Sequence, residues 1–337
     1  MPRRFLDQRL KLSLLRAVDA VGVNGTLLKA SAALGISQPA LTKNLQELED
    51  VLQVRLFYRH SRGMSPTPAG KVFIQAAQRI LADVHRLEED LDQHTNPRGG
   101  AVAVGALPVA AAGVLPWVLA RLKTKHPDIK VLLQQGRTTE LFPLLASGEL
   151  DLVVGRLYEP LVPDGFKREA LWSEPISLVA RNKHPIFCDG VTLQSLCQYD
   201  LILPTASQRV GQEIEHLLEK LGLKPTAPLR SSSYDFIREM LYGTDAISVM
   251  PRLVFLGDLL RGTLRVAPLP LPAPDRPAGL LFPRDRALPP AAKEFVLCLR
   301  GCIHEIMIRD INPMTNRNAE SEEGKVVQLL RESASDI

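Results

Sequence analysis

A long segment without helix breakers constrains this chain more than any other feature. Thr67 is placed to cap a helix and Pro68 to sit in its first turn, and from Lys71 to His94 neither Pro nor Gly occurs. Along it Phe73, Ala76, Ile80, Val84, Leu87 and Leu91 recur at steps of three or four, with Lys71, Arg79, Arg86, Glu88 and Glu89 at the sides. Such a helix is roughly 40 Å long at about 1.5 Å per residue. A small module cannot bury so long a stripe, so the spacing predicts a dimerising arm over 67–95, with packing on the chain's own body as the alternative. Asn96, Pro97, Arg98, Gly99 and Gly100 then predict a hinge at 96–100. The arm divides the chain into a short head, 1–66, and a large body.

The charge divides the same way. The chain has 337 residues and a net charge of +4. Residues 1–65 hold 10 Lys and Arg against 5 Asp and Glu, leaving the remainder at −1. A basic head on a near-neutral body suggests a polyanion-binding module joined to a domain with another task. With 45% apolar and 23% charged residues, the composition excludes global disorder. No apolar run approaches the roughly 20 residues of a membrane span, and MPRRFLDQRLKLSLL does not read as an export signal. A cytoplasmic protein with no membrane partner is expected.

Within the head, Leu10, Leu14, Val18 and Val21 mark a first helix ending near Gly22. Thr26 is placed to cap a short second helix through Leu27, Ala30, Ala33 and Leu34, Gly35 to make the left-handed turn, and Ile36 to plug the core. Ser37 then caps a third helix with Pro39 in its first turn and Leu41, Leu45, Leu48 and Leu52 on its buried side. Three helices with a tight turn between the last two make a helix-turn-helix. Gln38, Ala40, Thr42, Lys43 and Gln46 lie off the leucine stripe and are types that read base edges, although a solvated helix face has the same look. Arg55, Arg59 and Arg62, beside Phe57, Tyr58 and Gly63, predict a strand pair with a basic loop, a wing suited to phosphates or the minor groove. His60 fits beside a phosphate.

Beyond the hinge, strands and helices alternate. Strands are expected at 101–106, 129–134 and 150–154, with helices at 109–125 and 138–147, which implies a parallel sheet covered by helices. A second set follows: strands at 176–180, 201–203 and 247–250, and helices at 210–221 and 236–241. Pro268, Pro270, Pro272, Pro274 and Pro277 crowd a segment read as a crossover returning the chain to the first unit, before strand 279–282 and helix 291–308. The fold class is α/β, with the body spanning 101–310 as lobe I (101–157 and 278–308) and lobe II (158–277). Residues 311–337 read as a loose tail in which Val326, Val327, Leu329 and Leu330 allow at most a helical turn or two.

No phosphate-binding Gly-Lys-Ser/Thr loop, Gly-x-Ser-x-Gly elbow or His-Glu-x-x-His occurs, so neither catalytic residues nor cofactors are expected. Cys188, Cys197, Cys298 and Cys302 lack zinc spacing and read as small buried thiols in a reducing compartment; no metal site is expected.

The run SQPALTKNLQELEDVLQVRLFYRHSRGMSPTPAG, Ser37 to Gly70, closely resembles the N-terminal signature of LysR-type transcriptional regulators. The matches are the Ser-Gln-Pro-Ala start of the third helix, Leu48-Glu49, Leu56-Phe57 and the Thr-Pro-Ala-Gly opening of the arm. In the body, Gly148-Glu149-Leu150-Asp151-Leu152 matches a further stretch. The resemblance covers about residues 5–308. It implies a winged helix-turn-helix, a dimerising linker helix and a two-lobed effector domain like that of periplasmic binding proteins, usually in tetramers. It implies promoter DNA, a small-molecule effector and RNA polymerase as partners, and base-reading positions at Gln38, Pro39, Ala40, Thr42 and Lys43 with a wing arginine at Arg62; Ser37, at the start of the same helix, is a further expected DNA contact. Pro66, Ser31 and the Gly243-Thr244-Asp245 segment depart from the family pattern.

Strand ends that face one another across two lobes form a ligand cleft. Leu107, Pro108 and Val109 lead into a helix start suited to an anion, Thr138 opens another helix, and Thr205, Ala206, Ser207 and Arg209 face them from the second lobe. The three hydroxyl residues serve equally as helix caps, and Arg156 either meets the effector or bridges the lobes. These residue types favour a small organic anion, such as an aromatic or sugar-derived carboxylate. Two other functions remain open: a DNA-architectural protein indifferent to metabolites, and a two-lobed solute-binding protein, which has no use for a winged head.

Overall fold

The computed structural model describes residues 9–61, 63–95, 100–160, 164–188, 191–223, 229–269, 271–274, 276–284 and 286–308. Arg62, most of the expected hinge at 96–100, Pro270 and the tail from 311 lie outside them.

Three helices build the head: α1 (Leu12–Asn24), α2 (Leu27–Leu34) and α3 (Gln38–Leu52). The first runs two residues past the expected end and stops at Gly25. Thr26 Oγ1 accepts from the Lys29 amide and Ser37 Oγ from the Ala40 amide, the two expected caps. Gly35 takes φ 65°, a left-handed turn that costs glycine no Cβ clash. Ile36 does not plug the core, being 37% exposed just after this turn; Leu34 packs there instead. Leu41, Leu45, Leu48 and Leu52 are buried with Leu14, Val18 and Val21. Ser31, a family departure, is buried and donates to the Leu28 carbonyl at 3.0 Å, so its hydroxyl is satisfied within α2.

The wing is the antiparallel pair β1 (Phe57–His60) and β2 (Gly63–Pro66). It is tied to α3 by the Glu49 carboxylate, which accepts from the Leu56 and Phe57 amides at 2.7 and 3.3 Å. Thr67 Oγ1 donates to the Arg55 carbonyl at 2.8 Å and accepts from the Gly70 amide at 2.9 Å, opening α4 (Pro68–Thr95). A Cβ on Gly70 would lie 1.9 Å from the Leu56 carbonyl oxygen. Gly70→Ala is therefore expected to force the arm off the wing and destabilise the head by about 1–3 kcal/mol or more; a thermal melt of the head transition checks this, and an unchanged melt would refute the contact.

The arm divides its stripe between partners. Phe73, expected in the dimer seam, packs with Ile74 on the head's own core, because α4 lies along α1 and Gln78 Nε2 donates to Asp19 Oδ1 at 2.8 Å. Ala76 and Val84 are half-buried, whereas Ile80, Leu87 and Leu91 are exposed. The arm also touches a helix of the body, α7 below.

Lobe I contains β3 (Ala101–Ala106), α5 (Pro108–Ala112), α6 (Leu115–Lys125), β4 (Lys130–Gln135), α7 (Thr138–Ser147), β5 (Leu152–Arg156) and β6 (Phe166–Ser173). Lobe II contains β7 (Ile176–Arg181), β8 (Leu201–Pro204), α8 (Arg209–Lys220), β9 (Leu229–Ser231), α9 (Tyr234–Gly243), β10 (Ile247–Pro251), α10 (Leu256–Leu260) and β11 (Leu264–Val266). The chain then returns to lobe I as β12 (Pro277–Pro283) and α11 (Pro290–Ile308). The sheet orders are β4-β3-β5-β12-β6 and β11-β7-β10-β8-β9.

Three expectations need correction. Both sheets are mixed, since β12 runs antiparallel to β5 and β6, and β7 runs antiparallel to β10 and β11. The lobe boundary at 157/158 is misplaced: β6 pairs with β12 in the first sheet, so the chain leaves lobe I only after Ser173. Residues 166–173 lack the strict alternation that marks a strand, hence the miss. The single helix expected at 109–125 is two, because α5 ends at Gly113 and α6 begins at Leu115. The proline-rich segment does cross between lobes as expected.

Candidate functional site

The head presents one exposed, mostly polar face. Ser37, Gln38, Pro39, Ala40, Lys43 and Gln46 are exposed along the outer side of α3, Thr42 is half-buried, and Arg59 is exposed on the wing. The stripe of buried leucines behind them fixes this face outward. Lys43 and Gln46 share a shallow cavity with Arg9, Glu47, Asp50 and Val51. Arg9, which sequence reasoning missed, thus lies beside this face; its only signal was its charge. His60 Nε2 bonds Ser65 Oγ across the wing at 2.9 Å, so it ties together the two wing strands, one of which carries Arg59.

The cleft is assembled differently from expectation. Leu107 and Val109 are buried core side chains, Pro108 has no N–H, and the Leu107 amide already donates to the Val154 carbonyl at 2.9 Å. With α5 only five residues long, that turn is no anion-binding helix start. Thr138 is half-buried at the first position of α7, one residue past the cap position; there the Arg137 amide donates to Glu140 Oε2 at 2.9 Å. Its hydroxyl has no hydrogen-bond partner among the described residues, so capping does not explain it. Thr205 Oγ1 and Ser207 Oγ bond each other at 2.8 Å, and the Ala206 carbonyl accepts from Gln212 Nε2 at 2.9 Å, holding the loop before α8 rigid.

The charge of the site lies where the chain crosses between lobes. Glu174 and Arg276 sit side by side on the two segments that cross between the lobes: the Glu174 amide donates to the Arg276 carbonyl at 2.9 Å, and Arg276 Nε returns a bond to the Glu174 carbonyl at 3.0 Å. Both side chains are almost fully buried, and Arg276 Nη2 is 3.7 Å from Glu174 Oε2. Its Nη1 pairs with the Glu213 carboxylate on α8. Arg156 bridges at lobe I, donating to the Pro277 carbonyl at 3.0 Å. Tyr158 stands among them, with the Arg209 guanidinium 3.7 Å and that of Arg156 5.4 Å from its ring centroid.

These surroundings move the titrations. Burial pushes the Glu174 carboxyl up to about 7, with Arg276, Arg156 and the Trp172 indole pulling the other way. Burial also raises the Tyr158 and Tyr234 phenols, and lowers the Arg276 guanidinium against the opposing pull of Glu174. Of this group only Arg156 and Arg209 were read from the sequence. Glu174, Arg276, Tyr158, Trp172 and Glu213 were missed because their meeting depends on the crossing segments. The departure at Gly243-Thr244-Asp245 is accounted for nearby: Asp245 pairs with Arg181 at 3.1 Å, and its carbonyl meets His184 Nε2 at 3.0 Å. Of the cysteines, Cys298 and Cys302 are buried as expected, whereas Cys188 and Cys197 are exposed. Among the described residues no helix is long and apolar enough to cross a membrane, and no cluster suits a metal ion.

A winged helix-turn-helix, a long connecting helix and a two-lobed body with a charged cleft define a DNA-binding transcriptional regulator with an effector domain. Residues 12–71 match the family of bacterial regulatory helix-turn-helix proteins of the lysR type, and residues 95–301 match the LysR substrate binding domain. The chain belongs to the LysR family of transcriptional regulators. It is 31% identical over 284 residues to the regulator PcaQ of Agrobacterium fabrum, covering 83% of this chain and 91% of that protein. It is 30% identical to the regulator YdcI of Escherichia coli, covering 82% and 91%. A full-length OxyR variant from Pseudomonas aeruginosa shares the fold at a TM-score of 0.63 and 22% identity, covering 86% of this chain and 95% of that one. CbnR, a LysR-family regulator, does so at 0.60 and 20%, covering 87% and 99%.

Proposed function

We propose that this regulator reads promoter DNA with the outer face of α3 and the wing, and changes its grip when the lobes close on a small organic anion. Ser37, Gln38, Pro39, Ala40, Thr42, Lys43 and Gln46 read or approach base edges; Arg59 and Arg62 hold the backbone. The exposed Ile80, Leu87 and Leu91 of the arm, with Ala76 and Val84, seat on a second copy, and two such dimers make a tetramer. RNA polymerase is the downstream partner, the compartment is the cytoplasm, and the cleft does no catalysis.

The observation that carries the anionic effector is the set of three guanidiniums, Arg156, Arg209 and Arg276, gathered about Tyr158, against the carboxylates of Glu174 and Glu213. With Glu174 titrating near neutrality the cleft holds an excess of positive charge. Thr138, Thr205, Ala206 and Ser207 supply neutral hydrogen-bonding groups at its rim, and Leu107, Pro108 and Val109 its apolar wall. An effector shifts the arrangement of the DNA-bound dimers, and the bend they impose, only by binding one arrangement better than the other.

For the DNA half, Gln38→Ala is expected to relax preference at one base pair, costing about 1–3 kcal/mol there. Competition binding against single-base variants of the operator reads this, and equal loss on every sequence would refute the recognition-helix assignment. For the effector half, a thermal-shift panel should show stabilisation by carboxylates; stabilisation by neutral or cationic compounds alone would overturn the anion reading.

A further inference from the structure

Arg276 is 1% exposed on a segment crossing between the lobes, where a guanidinium without a carboxylate would be strongly unfavourable. Two carboxylates serve it, and they are unequal. Glu174 is fully buried and stitched to Arg276 through the main chain. Glu213 reaches in from α8 of lobe II, and its side chain keeps 23% exposure. Four residues earlier on the same helix, Arg209 stacks on Tyr158 of lobe I. The first half of α8 is thereby fastened to lobe I and to the crossing segments by one ion pair and one cation–π contact.

We propose that Glu213 is a built-in stand-in for the effector: an incoming carboxylate takes its place on Arg276, Glu213 swings out to solvent, and the start of α8 leaves its ligand-free seat on lobe I, which lets the lobes close on the ligand. This rests on the anionic-effector reading and adds how the cleft is switched. The exchange is close to balanced, because one carboxylate replaces another on the same guanidinium while Glu213 regains water. A near-balanced pair of states is what a small ligand can tip. Glu174 cannot play this part, since its carboxylate is fully buried and has no open side toward solvent, unlike that of Glu213.

The test uses the full-length chain and Glu213→Gln, which removes the competing charge and keeps the shape. Without ligand, hydrogen exchange across Arg209–Lys220 should rise several-fold. Benzoate and succinate, titrated by calorimetry, should bind about tenfold more tightly than to the unaltered chain, within the range of ordinary coupling between sites. A merely structural role for Glu213 predicts the same faster exchange but weaker binding, and weaker binding overturns the proposal. Unchanged exchange overturns it as well. If benzoate and succinate bind the unaltered chain and E213Q equally, the stand-in fails while the anion reading survives. If both chains bind benzamide and succinamide but neither acid, the anion reading fails and takes the stand-in with it. Should E213Q not fold, Glu213→Asp, which withdraws the carboxylate by one methylene, is scored by the same outcomes.

Discussion

Arg276→Met is expected to cost about 3–5 kcal/mol of folding stability, because it leaves the Glu174 carboxylate buried without its principal cation. The loss should depend on pH in a defined direction. In the unaltered chain, burial raises the Glu174 carboxyl from its ordinary 4.5 to about 7, so the folded state binds a proton more readily than the unfolded one. The stability tied to that proton is therefore fully present below pH 4.5 and is lost as pH rises through 7. Removing Arg276 raises the carboxyl further, so the variant escapes the buried charge by taking up a proton. Urea unfolding should show a larger deficit at about pH 8 than at about pH 6. An equal deficit at both would mean that Glu174 does not titrate in this window.

Leu41→Ala removes a fully buried side chain from the back of α3 and is expected to cost about 2–5 kcal/mol. The head has a small core of its own, chiefly α1, α3 and the wing, with little reserve to absorb such a loss. The head should unfold while the body, whose cores share no residue with it, stays folded. Calorimetry should resolve an early head transition ahead of an unchanged body transition, with operator binding lost and carboxylate binding kept. A single shifted transition would show that head and body unfold together.

Much of the head was legible because its determinants are local. Leucines at helical spacing, a Ser cap and a Gly turn are read within a few residues, and Thr26, Gly35, Ser37 and Thr67 act as their types suggest. Several motifs that carried the family resemblance turn out to serve the fold: Glu49 fastens the wing to α3, and Gly70 lets the arm pass the Leu56 carbonyl. Ile36 failed because one residue beyond a left-handed turn the side chain faces solvent, a consequence of geometry that hydrophobicity does not reveal.

Of the proposed cleft, sequence pattern located the flanking turns but not the charged centre. Thr138 opens α7, and Thr205 and Ser207 sit in the loop between β8 and α8, positions that pattern can locate. Glu174 and Arg276 meet because two connecting segments, separated by about a hundred residues of lobe II, cross side by side. No local spacing encodes that, and the misread of β6 as part of lobe II hid the crossing point itself.

If the outer face of α3 specifies the DNA sequence, selection from a random duplex library will show it. The full-length chain should enrich a two-fold symmetric site with half-sites spaced by about 10 base pairs or a multiple of that. Lys43→Ala should enrich a site altered at one position in each half. Enrichment of no sequence, or of the same sequence by both proteins, would contradict the account.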